Sequence, residues 1–117
     1  DTKAQILEIN ENHVSDFRDI NFHAIGSGSV QAINALLFQR QSKTDTVAET
    51  IYNVYKAKRN AEVSIGVGRE TDIIILTKEG VTEIDESREQ ILEDIYTKEF
   101  NYGKNHKRLI DVAPDLT

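Results

Sequence analysis

The chain has no cysteine, no methionine and a single proline, Pro114, near its end. Without thiols there can be no disulfide, no cysteine nucleophile and no thiolate metal site, a composition that fits a reducing interior. With Asp1 as its first residue and no methionine anywhere, the chain is expected to be processed, trimmed or cut from a longer polypeptide. No apolar run approaches the ~20 residues of a membrane-spanning helix, and no signal peptide is visible. A soluble cytoplasmic protein with no membrane partner is therefore expected. Basic stretches are also scarce. The net charge is −6, and the one basic run, Lys104-Asn105-His106-Lys107-Arg108, sits beside an acidic body and reads as solvated surface. Nucleic acid is not an expected partner.

What is present is ordinary for a globular chain: 117 residues, 38% hydrophobic and 29% charged. That length predicts one domain, residues 1–117, able to bury roughly two-thirds of its unfolded surface. Ala4 to Ile9 alternates loosely and predicts a strand, and Asn10-Glu11-Asn12 has turn chemistry, since Asn tolerates the left-handed region. A second strand is predicted over about Ile20 to Ile25, ending at the glycines. Residues 29–41 predict a helix apolar round most of its circumference, and therefore buried between layers.

Thr46 and Glu49 have capping-box spacing and open the next helix. Its predicted core stripe is Val47, Ile51, Val54, Tyr55 and Lys58, and Lys56, Lys58 and Arg59 near its end suit the dipole. Three strands are predicted next: 63–67, 72–77, and 81–84, the last pairing back across Lys78-Glu79-Gly80. Ser87 and Gln90 predict a final helix with Ile91, Leu92, Ile95, Tyr96 and Phe100 on one side. Its pattern fades from Asn101, and Pro114 bars a helix there. The order β-β-α-α-β-β-β-α implies a layered α+β fold.

The stretch with chemical content is Phe22-His23-Ala24-Ile25-Gly26-Ser27-Gly28-Ser29. A two-glycine turn feeding a helix aims backbone N–H groups and a hydroxyl at whatever lies above it. It is not a P-loop, which needs Gly-Lys-Ser/Thr, nor a dinucleotide fingerprint, which needs a third glycine, so no cofactor is expected. Two readings stand. In one, the glycines let the helix approach its strand closely and Ser29 is the N-cap. In the other, Ser27 supports an active site. His13, His23 and His106 lack ligand spacing, and no metal is expected. His23, alternating with Phe22 and Ala24, reads as a satisfied interior histidine. A Ser27–His23 dyad would need two sequence neighbours to face each other across a glycine. The acidic run Glu83-Ile84-Asp85-Glu86 is explained by charge complementarity at a helix N-terminus.

From about Ala4 to Asp85 the chain resembles the later half of proteasome β-type subunits and related bacterial peptidases, the N-terminal-nucleophile hydrolases. Phe22 to Gly28, Ala32 and Leu36 in the first helix, Arg59-Asn60-Ala61, and Ile73 to Gly80 carry the likeness. It implies that the chain is the C-terminal part of a four-layer αββα sandwich that hydrolyses peptide or other amide bonds. In that family an N-terminal threonine, serine or cysteine attacks the carbonyl, its own amino group serving as base. The likeness makes Ser27 a support residue near the nucleophile. It puts Asn60 where the family has an aspartate of the same support shell, and an amide cannot hold that charge. The next support serine falls at Val63, with Ser64 displaced by one. Nothing aligns with the first half, which carries the nucleophile. Thr2, exposed if Asp1 were lost, is the weaker candidate, because its strand fits better in mid-fold. The fragment alone should be inactive and should associate with its missing half or with identical subunits. The alternative reading is a non-catalytic, proteasome-like scaffold subunit.

Overall fold

A computed structural model describes residues 4–17 and 20–106. Thr2, the basic residues 107–108 and Pro114 lie outside them. The chain is α+β, with three helices and two small antiparallel sheets among the described residues, and it divides into two compact units, Asp1–Thr71 and Asp72–Thr117. Among the described residues no helix is long and apolar enough to cross a membrane.

The first unit opens with a hairpin of β1 (Leu7–Ile9) and β2 (Val14–Asp16), paired Leu7 to Asp16 and Ile9 to Val14. Asn10 builds the turn with its side chain rather than by entering the left-handed region. Its Oδ1 accepts the backbone N–H groups of Asn12 and His13, both at 3.2 Å. This short, polar second strand is not the expected one at residues 20–25. That segment starts in a turn, with Asn21 at φ 69°, is half-buried at Phe22, His23 and Ala24 in succession rather than alternately, and pairs with no strand among the described residues.

Helix α1 (Ser29–Phe38) stops short of the expected Gln41. Arg40 adopts φ 56°, and the N–H groups of Gln41 and Arg40 donate back to the carbonyls of Leu36 and Leu37. That is a Schellman ending, achieved with arginine where glycine is usual. At the other end Ser29 is not the N-cap. The cap position falls on Gly28, which has no side-chain cap bond, and Ser29 is the first helical residue.

Helix α2 (Val47–Ala61) begins with the expected capping box: Glu49 N–H to Thr46 Oγ1 at 3.1 Å, and Thr46 N–H to Glu49 Oε2 at 3.0 Å. Its core face differs from the expected stripe. Tyr55, Ala57 and Ala61 are buried, whereas Val47 and Val54 are exposed. Small residues won because α1 packs closely: Ala35, Leu36 and Ala57 form the core, with Phe22 and Ala32 against it. Nor is α1 buried on all sides within this unit. Val30, Leu37 and Phe38 are exposed, Phe38 by 88%.

After α2 the expected strand at 63–67 is a chain of tight turns, Ser64 N–H to Ala61 carbonyl and Val67 N–H to Ser64 carbonyl. Gly66, at φ 91°, sits in conformational space that L side chains rarely adopt.

In the second unit, β3 (Ile74–Thr77) and β4 (Gly80–Glu83) form the expected hairpin, in register Ile74 to Glu83 and Leu76 to Val81. The Ile84 N–H donates to the Ile73 carbonyl at 2.9 Å and extends the ladder. Helix α3 (Glu86–His106) runs past the expected fading point at Asn101. Asp85, not Ser87, caps it. Asp85 Oδ1 accepts the Arg88 N–H and the Ser87 hydroxyl, both at 2.9 Å. The Arg88 N–H first, then the Ser87 hydroxyl and the Arg88 charge, hold the Asp85 carboxyl below the usual aspartate value, with desolvation opposing. Glu86 and Glu89 add the acidic first turn that a helix N-terminus favours. The acidic run at 83–86 is thus accounted for by the helix start.

Candidate functional site

The first unit carries an open groove of about 450 Å³. Its walls are the segment 21–28 and one face each of α1 and α2, with Leu36, Ala57 and Ala61 among its apolar lining. Its polar lining residues are Asn21, His23, Ser27, Ser29, Gln41, Thr50 and Lys58. An apolar concavity with a handful of placed polar groups is the usual form of a small-ligand or peptide site.

The turn at 26–29 is fixed to the end of α2 by the absence of a side chain at Gly28. A Cβ there would lie 2.8 Å from Ala61 Cβ and 3.0 Å from both the Ala61 carbonyl and Val67 Cγ2. The close approach expected of the glycines is real, but its partner is a helix end and the turn after it, not a strand. Ser27 is exposed beside the groove, and its Oγ lies 3.4 Å from where a Gly66 Cβ would stand. Two glycines therefore position the serine, one by contact and the other by leaving room.

His23 is the satisfied interior histidine that its alternation predicts. Its Nε2 lies 3.0 Å from Glu8 Oε2, and its ring stacks on Phe17 with centroids 3.7 Å apart. An ionised carboxylate only accepts, so Nε2 carries the proton in this pair. No hydrogen bond joins Ser27 to His23 among the described residues, so the structure does not contain the dyad. Asn60, the other candidate, is half-buried in the last turn of α2 and is not among the groove's lining residues, although its neighbour Ala61 is. His13 meets Asn10 at 3.1 Å in the exposed β1–β2 turn. The side chain of His106 lies outside the described residues. Among those described, no group of His, Cys, Asp and Glu could hold a metal ion.

Sequence reasoning missed the ionic cluster at the end of α2, from which Lys58 lines the groove. Glu62, whose side chain is only 10% exposed, accepts Lys58 Nζ at 3.0 Å and Arg59 Nη1 at 2.6 Å, with Arg69 Nε at 4.0 Å. Lys58 also donates to the Gly68 carbonyl, tying the turn after α2 back to the helix. The i,i+3 and i,i+4 spacing of these charges was readable, but the burial of Glu62 was not. Glu8 was missed as well, because its partner is fifteen residues away. At the opposite end Gln41 donates to Thr50 Oγ1 at 3.0 Å and accepts from Asn53 at 2.8 Å, locking the α1–α2 loop. No family model matches the chain, and it has no match among curated proteins or solved structures.

Proposed function

We propose that this chain is the later part of a proteasome-like, N-terminal-nucleophile amidohydrolase, whose intact parent cleaves peptide or other amide bonds. The observation that carries the reading is the turn at residues 26–29. It is pinned to α2 through Gly28 and leaves the Ser27 hydroxyl beside an open, mostly apolar groove. Ser27 is the residue that the family likeness makes a neighbour of the nucleophile, and the groove has room for the segment that would bring it. The four-layer sandwich draws support from two uncovered surfaces. One is the outer face of α1 at Val30, Leu37 and Phe38, and the other is the exposed face of the β3–β4 hairpin. In this reading Ser27 relays or steadies a proton by hydrogen bonding and does not attack. The attacking group lies on chain outside these residues, and the 117 residues alone are inactive.

The test is made on the protein as its source produces it. N-terminal sequencing and intact mass identify any processed Thr, Ser or Cys terminus, and a β-lactone probe with a fluorogenic peptide amide reports on reactivity. The expected result is a single adduct at that terminus. A Ser27→Ala change should lower turnover roughly tenfold or more while leaving the adduct site unchanged. Absence of any processed nucleophile sinks the reading.

A second reading, a non-catalytic scaffold subunit, is favoured by Asn60. An amide stands where the family likeness calls for a charged carboxylate, and it does not share the groove with Ser27. Under it the same experiment gives no adduct and no turnover, although the chain still assembles.

A further inference from the structure

We propose that the outer edge of β3 is a self-complementary docking strand, and that its occupant is β3 of a second copy of this chain, running antiparallel. The proposal rests on the β3–β4 hairpin alone, and it stands or falls apart from the hydrolase reading. Among the described residues β3 has β4 on one side and no strand on the other. An antiparallel ladder alternates, and the Ile84-to-Ile73 bond fixes its phase. Ile73, Ile75 and Thr77 turn their N–H and C=O groups toward β4, so Ile74 and Leu76 turn theirs outward.

Natural edge strands are protected by lysine, proline, a bulge or an inward charge. Residues 73–77, Ile-Ile-Ile-Leu-Thr, contain none of these, and Ile74 and Leu76 are 63% and 78% exposed. Charges occur only at the two ends, Asp72 before the run and Lys78 after it. Both are exposed, and neither forms an ion pair among the described residues.

The spacing of those charges selects the partner. Two copies of β3 can pair antiparallel only in registers that set outward-bonding residues opposite each other. With Ile75 opposite the second copy's Ile75, Ile74 meets the second copy's Leu76, Leu76 meets its Ile74, and both pairs exchange backbone bonds. Just beyond the paired residues, the same register brings Asp72 alongside the second copy's Lys78, the first residue of its hairpin turn, and Lys78 alongside its Asp72. The next allowed register in one direction puts Asp72 against Leu76, and in the other puts Lys78 against Ile74. Only one alignment matches charge with charge and apolar with apolar, and it does so twice through a two-fold axis. An isologous interface has this symmetry, and an unrelated strand has no reason to. The result is a four-stranded sheet, β4-β3-β3-β4, in place of two open hairpins.

Sedimentation of the 117-residue chain across a concentration series tests this through a charge swap. The wild type should show a monomer–dimer equilibrium that weakens with added salt. Asp72→Lys or Lys78→Asp alone sets like charges opposite each other at both ends of the interface and should raise the dimer Kd roughly tenfold. The double variant, D72K with K78D, restores opposite charges in the same register and should recover the wild-type Kd. Leu76→Pro removes an outward N–H, which an edge strand tolerates, and should give monomer with the β3–β4 hairpin still visible by NMR. Three results overturn the proposal: a monomer at every concentration, a dimer indifferent to these changes, or protection of the Ile74 and Leu76 amides in a monomer. The last would mean that another segment of this same chain occupies the edge.

Discussion

The helical hairpin α1–α2 and the strand hairpin β3–β4 both carry apolar residues along their length, yet only one of them closes on itself. Between α1 and α2 the chain provides small residues where backbones must approach and one large residue, Leu36, to fill the remainder. The strand hairpin has apolar groups on both faces, and on one of them Ile74, Leu76 and Val81 stay exposed. Hydrophobicity alone did not decide this. A residue is buried when a partner of matching shape is at hand. The helices carry theirs in Gly28, Ala57 and Ala61, and the strands of this segment do not. A run apolar on both faces is the pattern of a strand covered on both sides, which a two-stranded ribbon cannot provide for itself.

The contrast is sharpest at two leucines. Leu36 is 4% exposed and Leu76 is 78% exposed. Leu36→Ala should destabilise the first unit by about 2–5 kcal/mol, whereas Leu76→Ala should change monomer stability by less than about 0.5 kcal/mol. Urea unfolding of both variants at a concentration where the chain is monomeric checks this, and equal losses would erase the distinction.

Next in size is Gly28→Ala, whose new methyl would have to displace Ala61 or Val67. It should cost about 1–3 kcal/mol. Gly103, in the last turn of α3 with nothing within 4 Å, provides the opposite case. Gly103→Ala should stabilise its helix by about 1 kcal/mol. A smaller gain, about 0.5–1 kcal/mol, is expected for Arg40→Gly, because φ 56° is costly for arginine and free for glycine. Thermal melts that leave Arg40→Gly unchanged or lower would show that the arginine side chain makes up the difference.

The smallest effect concerns the cap of α3. The Asp85 carboxyl is depressed in the folded chain. Its contribution is complete above the unfolded aspartate value of 3.8 and is lost as pH falls through the lower folded value. The Arg88 amide shift followed by NMR should inflect below 3.8 in the wild type, and Asp85→Asn should abolish that inflection. A midpoint at or above 3.8 would mean that the Arg88 N–H bond does not favour the ionised form.

Features set within four or five residues were legible in the sequence. The Thr46–Glu49 box, the Gly-Ser-Gly turn into α1 and the Lys78–Glu79 hairpin turn are local devices whose geometry follows from residue type. Features that depend on a distant partner were not. The alternation at 20–25 predicted a strand, but whether a segment joins a sheet depends on a neighbouring edge, and this one has none among the described residues. The stripe on α2 was read from valines, when the close approach of α1 favoured alanines. At the site, His23 was readable as satisfied but its partner Glu8 was not, and nothing in the spacing separates Asn60 from the groove while leaving Ala61 in its wall.

Gly28 and Ala61 touch so closely that they behave as one unit of sequence variation. Enlarging position 61 leaves the turn nowhere to go, and shrinking it to glycine relieves one of the three close distances while the Ala61 carbonyl and Val67 remain at 3.0 Å. The coupling is therefore lopsided. Across any set of sequences sharing this fold, position 61 should drift between alanine and glycine, whereas position 28 should stay glycine.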